Sequence, residues 1–285
     1  MTKSSKPQIF VNGKKTSSDR IFKSPFQEDQ ILIFESLKSY RGVIFRLEEH
    51  LDRLFESANT TGLEITKTRE ELKKELKNCL SQAPAADLFL RLMVDGKNSY
   101  IFLLKRNRPP AIYEEGVDLK TAVQCRHLSR AELSEAKTNA FLNNVLAAME
   151  PKTSEIYESI FLDPAGYVSE ATIWNIFLVK EGILRTPGAA GVLRGVTRQF
   201  VIECAVKEHL PVQETNLTRH EFWNADEAFL TNTSGEIVPI RSLDGRKIGS
   251  KIPGAVTKRL MTRFQKEVEK ELANENQTRT HQRLR

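Results

Sequence analysis

The sequence predicts an α+β chain of two domains, and three observations carry that prediction. Turn dipeptides at Asn12-Gly13, Arg41-Gly42 and Asp95-Gly96 are each flanked by β-favouring runs. Two amphipathic helical patterns lie between the second and third of these turns. A Pro-rich polar stretch, RNRPPAIYEEG (106–116), then breaks the pattern and reads as a linker.

Taken in order, QIFVNGKKT (8–16) reads as two short strands around a hairpin turn, and QILIFESLKSYRGVIFRL (30–47) as two β segments joined at Arg41-Gly42. LEEHLDRLFESANTTG (47–62) places Leu47, Leu51, Leu54, Phe55 and Ala58 on one face and stops at Gly62, the pattern of an amphipathic helix. A second helix starts at the capping box Thr68-Arg-Glu-Glu71 and runs to about Ser81. DLFLRLMVDGKNSYIFLLKR (87–106) is a further strand pair. The expected domains are a small N-terminal α+β unit over 1–108, a linker over 109–116, and a larger domain over 117–276 ending in a basic tail, 277–285. The second domain opens with a strand near Val117–Val123 and a helix carrying Lys137. Short strands follow, then a helix launched from Gly195, a strand–loop–strand over 225–240, and a long helix over 254–276.

Composition narrows the function classes. At 40% hydrophobic and 28% charged, the chain has the make-up of a soluble globular enzyme. No apolar run is long enough to span a bilayer, and the opening MTKSSKPQIF lacks a secretion signal's apolar core, so no membrane role and a cytoplasmic setting are expected. Cys79, Cys125 and Cys204 are widely spaced, with no CxxC or Cys/His pairing, which argues for reduced structural thiols and no metal. Half of the net charge of +6 sits in Arg279, Arg283 and Arg285. Elsewhere the charges interleave, as in KTREELKKELK (67–77), and no basic stripe alternates with aromatics. Nucleic acid is therefore not an expected partner.

Two residues carry distinctive chemistry. Lys137, in EAKTNAFLNNVLAAME (135–150), is followed by GYVSEATIWNIF (166–177), which bears Glu170. A buried lysine condenses with an aldehyde, and a carboxylate holds a pyridine nitrogen protonated. A protein must supply both groups to use pyridoxal 5′-phosphate as an electron sink. A lysine among 43 Lys and Arg is more often a solvated side chain, so the surrounding segments matter.

Four segments together carry a resemblance: EEHLDRLFESA (48–58), EAKTNAFLNNVLA (135–147), the run from GYVSEATIWNIF to LRTPGAAGVLRGVTR (166–198), and ADEAFLTNTSGEIVPI (225–240). In this order the chain resembles the class IV, or fold-type IV, pyridoxal-phosphate enzymes: branched-chain and D-amino-acid aminotransferases and 4-amino-4-deoxychorismate lyase. The resemblance covers roughly residues 8–265. It implies a small N-terminal domain, a larger C-terminal pseudo-barrel domain with the cofactor between them, and a homodimer.

The resemblance also implies roles. Lys137 matches the lysine that binds the cofactor aldehyde and moves the proton, with burial expected to lower its pKa. Glu170 matches the carboxylate that pairs with the pyridine nitrogen. Arg53, Gly195, Val196, Thr197 and Thr233 match a phosphate cup, in which the Gly195 segment opens a helix whose N–H groups face the anion. Arg53 is equally spaced to pair with Glu49.

The substrate side departs from the family pattern. Where the family reads like LYGDGVFE, this chain has EDQILIFE (28–35), keeping Phe34-Glu35 but placing Asp29 at the tyrosine and Gln30 and Leu32 at the glycines. The Arg-x-His carboxylate trap is absent unless Arg106 and Arg108 substitute for it. The position five after the lysine is Leu142 rather than tyrosine. An aminotransferase acting on an amino acid and a 2-oxo acid is the leading expectation. A lyase releasing pyruvate and a cofactor-binding paralogue with altered catalysis stay open. Residues 26–34 are expected near a partner subunit's pocket.

Overall fold

A computed structural model describes residues 7–17, 32–83, 87–123, 136–138, 156–188 and 192–283, with side chains to residue 275. The described residues fall into two compact units. The first holds those up to Asn107, with 136–138 and those from Val268 on, and the second holds 108–267 apart from 136–138.

The first unit is built on an antiparallel sheet of six strands: β1 (Gln8–Val11), β2 (Lys14–Thr16), β3 (Ile33–Tyr40), β4 (Val43–Ile44), β5 (Leu88–Val94) and β6 (Ser99–Leu104). Their spatial order is β2-β1-β6-β5-β3-β4. The expected hairpins are all present. At the first, Asn12 and Gly13 both have positive φ (50° and 73°), the type I′ geometry that keeps β1 and β2 in the twist of the sheet. One face of the sheet carries two helices, α1 (Leu47–Thr61) and α2 (Arg69–Ser81). Thr68 and Glu71 form the capping box that starts α2, and Gly62 closes α1 with a left-handed backbone.

Leu51, Leu54 and Ala58 of α1 and Leu72, Leu76 and Leu80 of α2 pack on the inward row of strand residues, among them Ile33, Leu37, Leu90, Leu92 and Ile101. Each such buried leucine or isoleucine contributes about 1.5–3 kcal/mol relative to exposure. Leu47 and Phe55, expected on the same helix face, are only partly buried. Strand β3 should place an apolar residue inward at every second position. Between Ile33 and Leu37 it places Glu35.

The second unit contains a curled mixed sheet of ten strands. Its strands are β7 (Val117–Thr121), β8 (Ile156–Leu162), β9 (Tyr167–Ala171), β10 (Asn175–Lys180), β11 (Ile183–Thr186), β12 (Val212–Glu214), β13 (Leu217–Thr218), β14 (Glu227–Asn232), β15 (Glu236–Leu243) and β16 (Arg246–Lys247). The order is β12-β11-β10-β14-β15-β7-β8-β9-β13, with β16 paired to β15. Its helices begin with the single turn α3 (Ala111–Glu114), followed by α4 (Val196–Lys207) and α5 (Arg219–Trp223); α6 (Ala255–Arg283) starts in this unit, and its residues from Val268 on belong to the first.

Within the Pro-rich stretch, Pro110 starts the turn α3, and Ile112 and Tyr113 pack against the second core. The architecture is the two-domain α+β arrangement that the sequence predicts, with two differences of detail. The terminal helix passes residue 276 and includes most of the basic tail. Residues 136–138 are extended rather than helical. Thr138 bridges Ile33, and Phe34 N donates to Lys137 O (3.0 Å). The cause is an open edge, because β4 pairs with β3 only at Ser39 and Tyr40, leaving the Ile33 end free to take another partner. The remainder of the helix expected after Lys137 lies outside the described residues.

Candidate active site

In the first unit, chemistry gathers on the inward side of β3. Glu35 is fully buried. Arg53 grips it with a two-pronged contact, Nε to Oε1 and Nη2 to Oε2, both 2.7 Å, and His50 Nδ1 lies 2.8 Å from Oε2. Burial alone would push the Glu35 carboxyl up. The Arg53 charge and the hydrogen bonds from His50 and Arg53 outweigh it and hold the carboxyl far below the usual range. Burial pushes His50 down, opposed by Glu35 and reinforced by the charges of Arg53 and Lys137. An ionised carboxylate only accepts, so a neutral His50 carries its hydrogen on Nδ1 and donates it to Glu35. Glu49, the alternative partner for Arg53, is held by Arg46 (2.9 Å).

His50, Arg53 and Ser57 form a buried polar stripe on α1. Ser57 closes the link to Lys137: its Oγ accepts from Lys137 N at 3.0 Å. The lysine backbone is therefore fixed on both sides, by Ser57 at its N–H and by Phe34 at its carbonyl. The half-buried side chain lays Nζ 4.8 Å from the Phe34 ring centre. The Arg91 guanidinium, on β5, lies 4.4 Å from the same ring. Burial and the neighbouring Arg106 charge, partly offset by Glu35, push Arg91 down to about 10. Arg106 itself is exposed and rests on Phe89 (4.3 Å).

In the second unit, Glu170 stands on β9 and is only 6% exposed. Its Oε2 accepts from Asn175 Nδ2 (3.2 Å) and from Leu193 N (3.0 Å). Gly195 begins α4 with no side-chain cap, so the helix opens on backbone N–H groups, where an anion is favoured. The buried Thr197 sends Oγ1 to within 3.4 Å of Thr233 Oγ1, placing two hydroxyls beside that helix end. Asn232 Oδ1 shapes the Thr233 turn by accepting from Ser234 N (3.0 Å) and Gly235 N (2.8 Å). Arg108 donates to Ser234 Oγ (3.0 Å) and to the Tyr157 hydroxyl, with its guanidinium over Trp174 (4.7 Å). Arg106 and Arg108, read together as a carboxylate trap, thus belong to different units and have different partners.

This inventory comprises a backbone-anchored lysine, a buried carboxylate with two donors, and a helix N-terminus beside two hydroxyls. The sequence model of the amino-transferase class IV family matches residues 32–243. The chain belongs to the class IV aminotransferases. Over 275 residues it is 36% identical to a putative branched-chain-amino-acid aminotransferase of Methanocaldococcus jannaschii, covering 90% of this chain and 95% of that protein. It is 30% identical to the D-alanine aminotransferase of Bacillus licheniformis over 258 residues, 85% of this chain and 89% of the relative. Among solved structures, the branched-chain aminotransferase of the thermophilic archaeon Thermoproteus uzoniensis, crystallised with norvaline, superposes with a TM-score of 0.81 at 29% identity. That match covers 90% of this chain and 93% of the other.

Membership in class IV bears out the resemblance read from the four sequence segments. Of the residues singled out there, Glu170, Gly195, Val196, Thr197 and Thr233 lie in the second unit, while Arg53, Lys137 and Arg106 lie in the first. Asp29, with the rest of the atypical 28–31 stretch, lies outside the described residues. Sequence reasoning gave no role to Glu35, His50, Ser57, Arg91 or Asn175. A signal for Glu35 was present, a charged residue in the inward row of an otherwise alternating strand.

Proposed function

We infer that this class IV aminotransferase moves an amino group from an amino acid to a 2-oxo acid, using pyridoxal 5′-phosphate, which supplies the electron sink when bound. The residues fit such a group. The uncapped Gly195 helix end with the Thr197 and Thr233 hydroxyls suits a phosphate, and the buried Glu170 suits a protonated ring nitrogen. Arg53, oriented by Glu35 and His50, is the proposed cation for the phosphate.

The observation that carries the reading is Lys137. Its peptide groups are tied to Ser57 and Phe34, so the amine swings from a fixed mount, and the segment falls inside the family match. Lys137 Nζ would hold the cofactor by its aldehyde group and would serve as the base and acid for the proton on the substrate Cα, while the Glu170 carboxylate would accept from the protonated ring nitrogen. For the substrate carboxylate we propose Arg91, a mostly buried guanidinium on the same aromatic ring as Lys137, with Arg106 next to it. Asp29 and Arg108 remain proposed substrate-side residues. The relatives' names point to branched-chain amino acids as donors, with D-alanine as the alternative for a screen. A homodimer, a cytoplasmic setting and a place for residues 26–34 beside the partner's pocket complete the proposal. No helix among the described residues is long and apolar enough to cross a membrane.

Borohydride reduction of the protein mixed with pyridoxal phosphate tests this. The expected product carries the reduced cofactor on the Lys137 peptide, and Lys137→Ala gives none. A protein that takes up no cofactor, or is labelled on another lysine, overturns the assignment.

A further inference from the structure

Asn175 joins the two ends of the proposed cofactor cradle within the second unit. It is the first residue of β10 and is only 8% exposed. Its Nδ2 spends one hydrogen on Glu170 Oε2 (3.2 Å) and the other on Leu193 O (2.9 Å). Leu193 N in turn donates to the same Glu170 oxygen (3.0 Å), which closes a ring of three hydrogen bonds through one amide, one carboxylate and the backbone of one residue. Leu193 is two residues before Gly195, where α4 begins.

The other atom of the Asn175 amide is engaged as well. A methyl group built on Gly195 would lie 2.0 Å from Asn175 Oδ1, so only a residue without Cβ lets the chain pass the amide here. One side chain therefore fixes the plane of the Glu170 carboxylate, ties down the backbone entering α4, and abuts the residue whose helix end faces the proposed phosphate.

We propose that Asn175 is a positioning residue. It sets the spacing between the carboxylate that holds the cofactor's ring nitrogen and the helix N-terminus that holds its phosphate, so that one rigid ligand meets both. The proposal rests on the cofactor reading above. Its chemistry is specific, because the role needs a neutral amide with two hydrogens to donate. Aspartate has nearly the same volume but no such hydrogens, and it would set a second carboxylate against Glu170 at the position of a 3.2 Å hydrogen bond.

The test compares wild type with Asn175→Asp and Asn175→Ala, using pyridoxal phosphate labelled with ¹⁵N in the ring. Cofactor affinity and the ¹⁵N signal of the bound ring nitrogen are read for each, with circular dichroism confirming the fold. Both variants should bind at least about tenfold more weakly, the scale of losing a hydrogen bond to a charged group. The ring-nitrogen signal should move towards the unprotonated position in both. Should the Asp variant fail to fold, the Ala variant carries the same two readings. Wild-type affinity with an unchanged signal in the folded variants overturns the proposal and leaves the cofactor reading intact. So does weaker binding with an unmoved signal, which assigns Asn175 to packing alone. A wild-type protein that binds no cofactor overturns both.

Discussion

Replacing Glu35 by leucine tests the buried cluster that supports the lysine mount. The carboxylate is fully buried and receives four hydrogen bonds, two from Arg53, one from His50 and one from Ser36 N (3.3 Å). Leucine removes the acceptor and leaves a guanidinium, itself 7% exposed, without that counter-charge. Breaking a buried pair from one side costs about 3–5 kcal/mol, most of it the desolvation of the stranded charge. For a protein of this size that lowers Tm by roughly 6–20 °C. The double variant Glu35→Leu/Arg53→Leu should recover part of the loss, because apolar groups filling the space of both partners are tolerated where a lone charge is not. Urea and thermal unfolding of the two single variants and the double supply the cycle. A Glu35→Leu protein within about 1 kcal/mol of wild type, or a double variant whose loss equals the sum of the singles, would refute the assignment of this cluster as a coupled ion pair.

Four further outcomes follow from the same geometry. Stability should fall on acidification: the folded Glu35 value is depressed, so its contribution is present above the ordinary carboxylate range and is lost as pH drops below it. The folded His50 value is also lowered, so the unfolded chain takes up that proton first as pH falls below 6.5, and His50→Gln should flatten the unfolding free energy on the acid side of pH 6.5, as read by urea titration at each pH. Thr197→Val should weaken pyridoxal phosphate binding about tenfold in an absorbance titration, with little change in unfolding midpoint, since it removes a hydroxyl beside the α4 end and keeps the volume. Leu76→Ala, at a fully buried position on α2, should cost about 2–5 kcal/mol in denaturant unfolding and leave cofactor affinity unchanged.

What was legible in the sequence was whatever local rules fix. Asn12-Gly13, the Thr68 capping box, the Gly62 stop and the alternation in residues 88–104 specify their own backbone, and each appears where the residues put it. Lys137 and Glu170 stood out because their chemistry is rare in combination. The extended course of Lys137 was not legible, because it depends on the open edge of β3, a strand far from the lysine in sequence. The same holds for Asn175, whose meaning comes from Leu193 and Gly195 folding back on it, and for Arg91, which on paper is one cation in a strand. Glu35 lies between these cases: its misplacement in an apolar row was readable, but its partners His50 and Arg53 come from the packing of α1 on β3.

The most direct test of the central claim is a half-reaction. Cofactor-loaded protein is mixed with a branched-chain amino acid, and with D-alanine in parallel, without any 2-oxo acid, and the products are counted per site. An aminotransferase yields one equivalent of 2-oxo acid per site, leaves the amino form of the cofactor on the protein, and stops until an acceptor is added. Lys137→Ala should yield none. Continued release of product without an acceptor, or release without formation of the cofactor's amino form, would contradict the account.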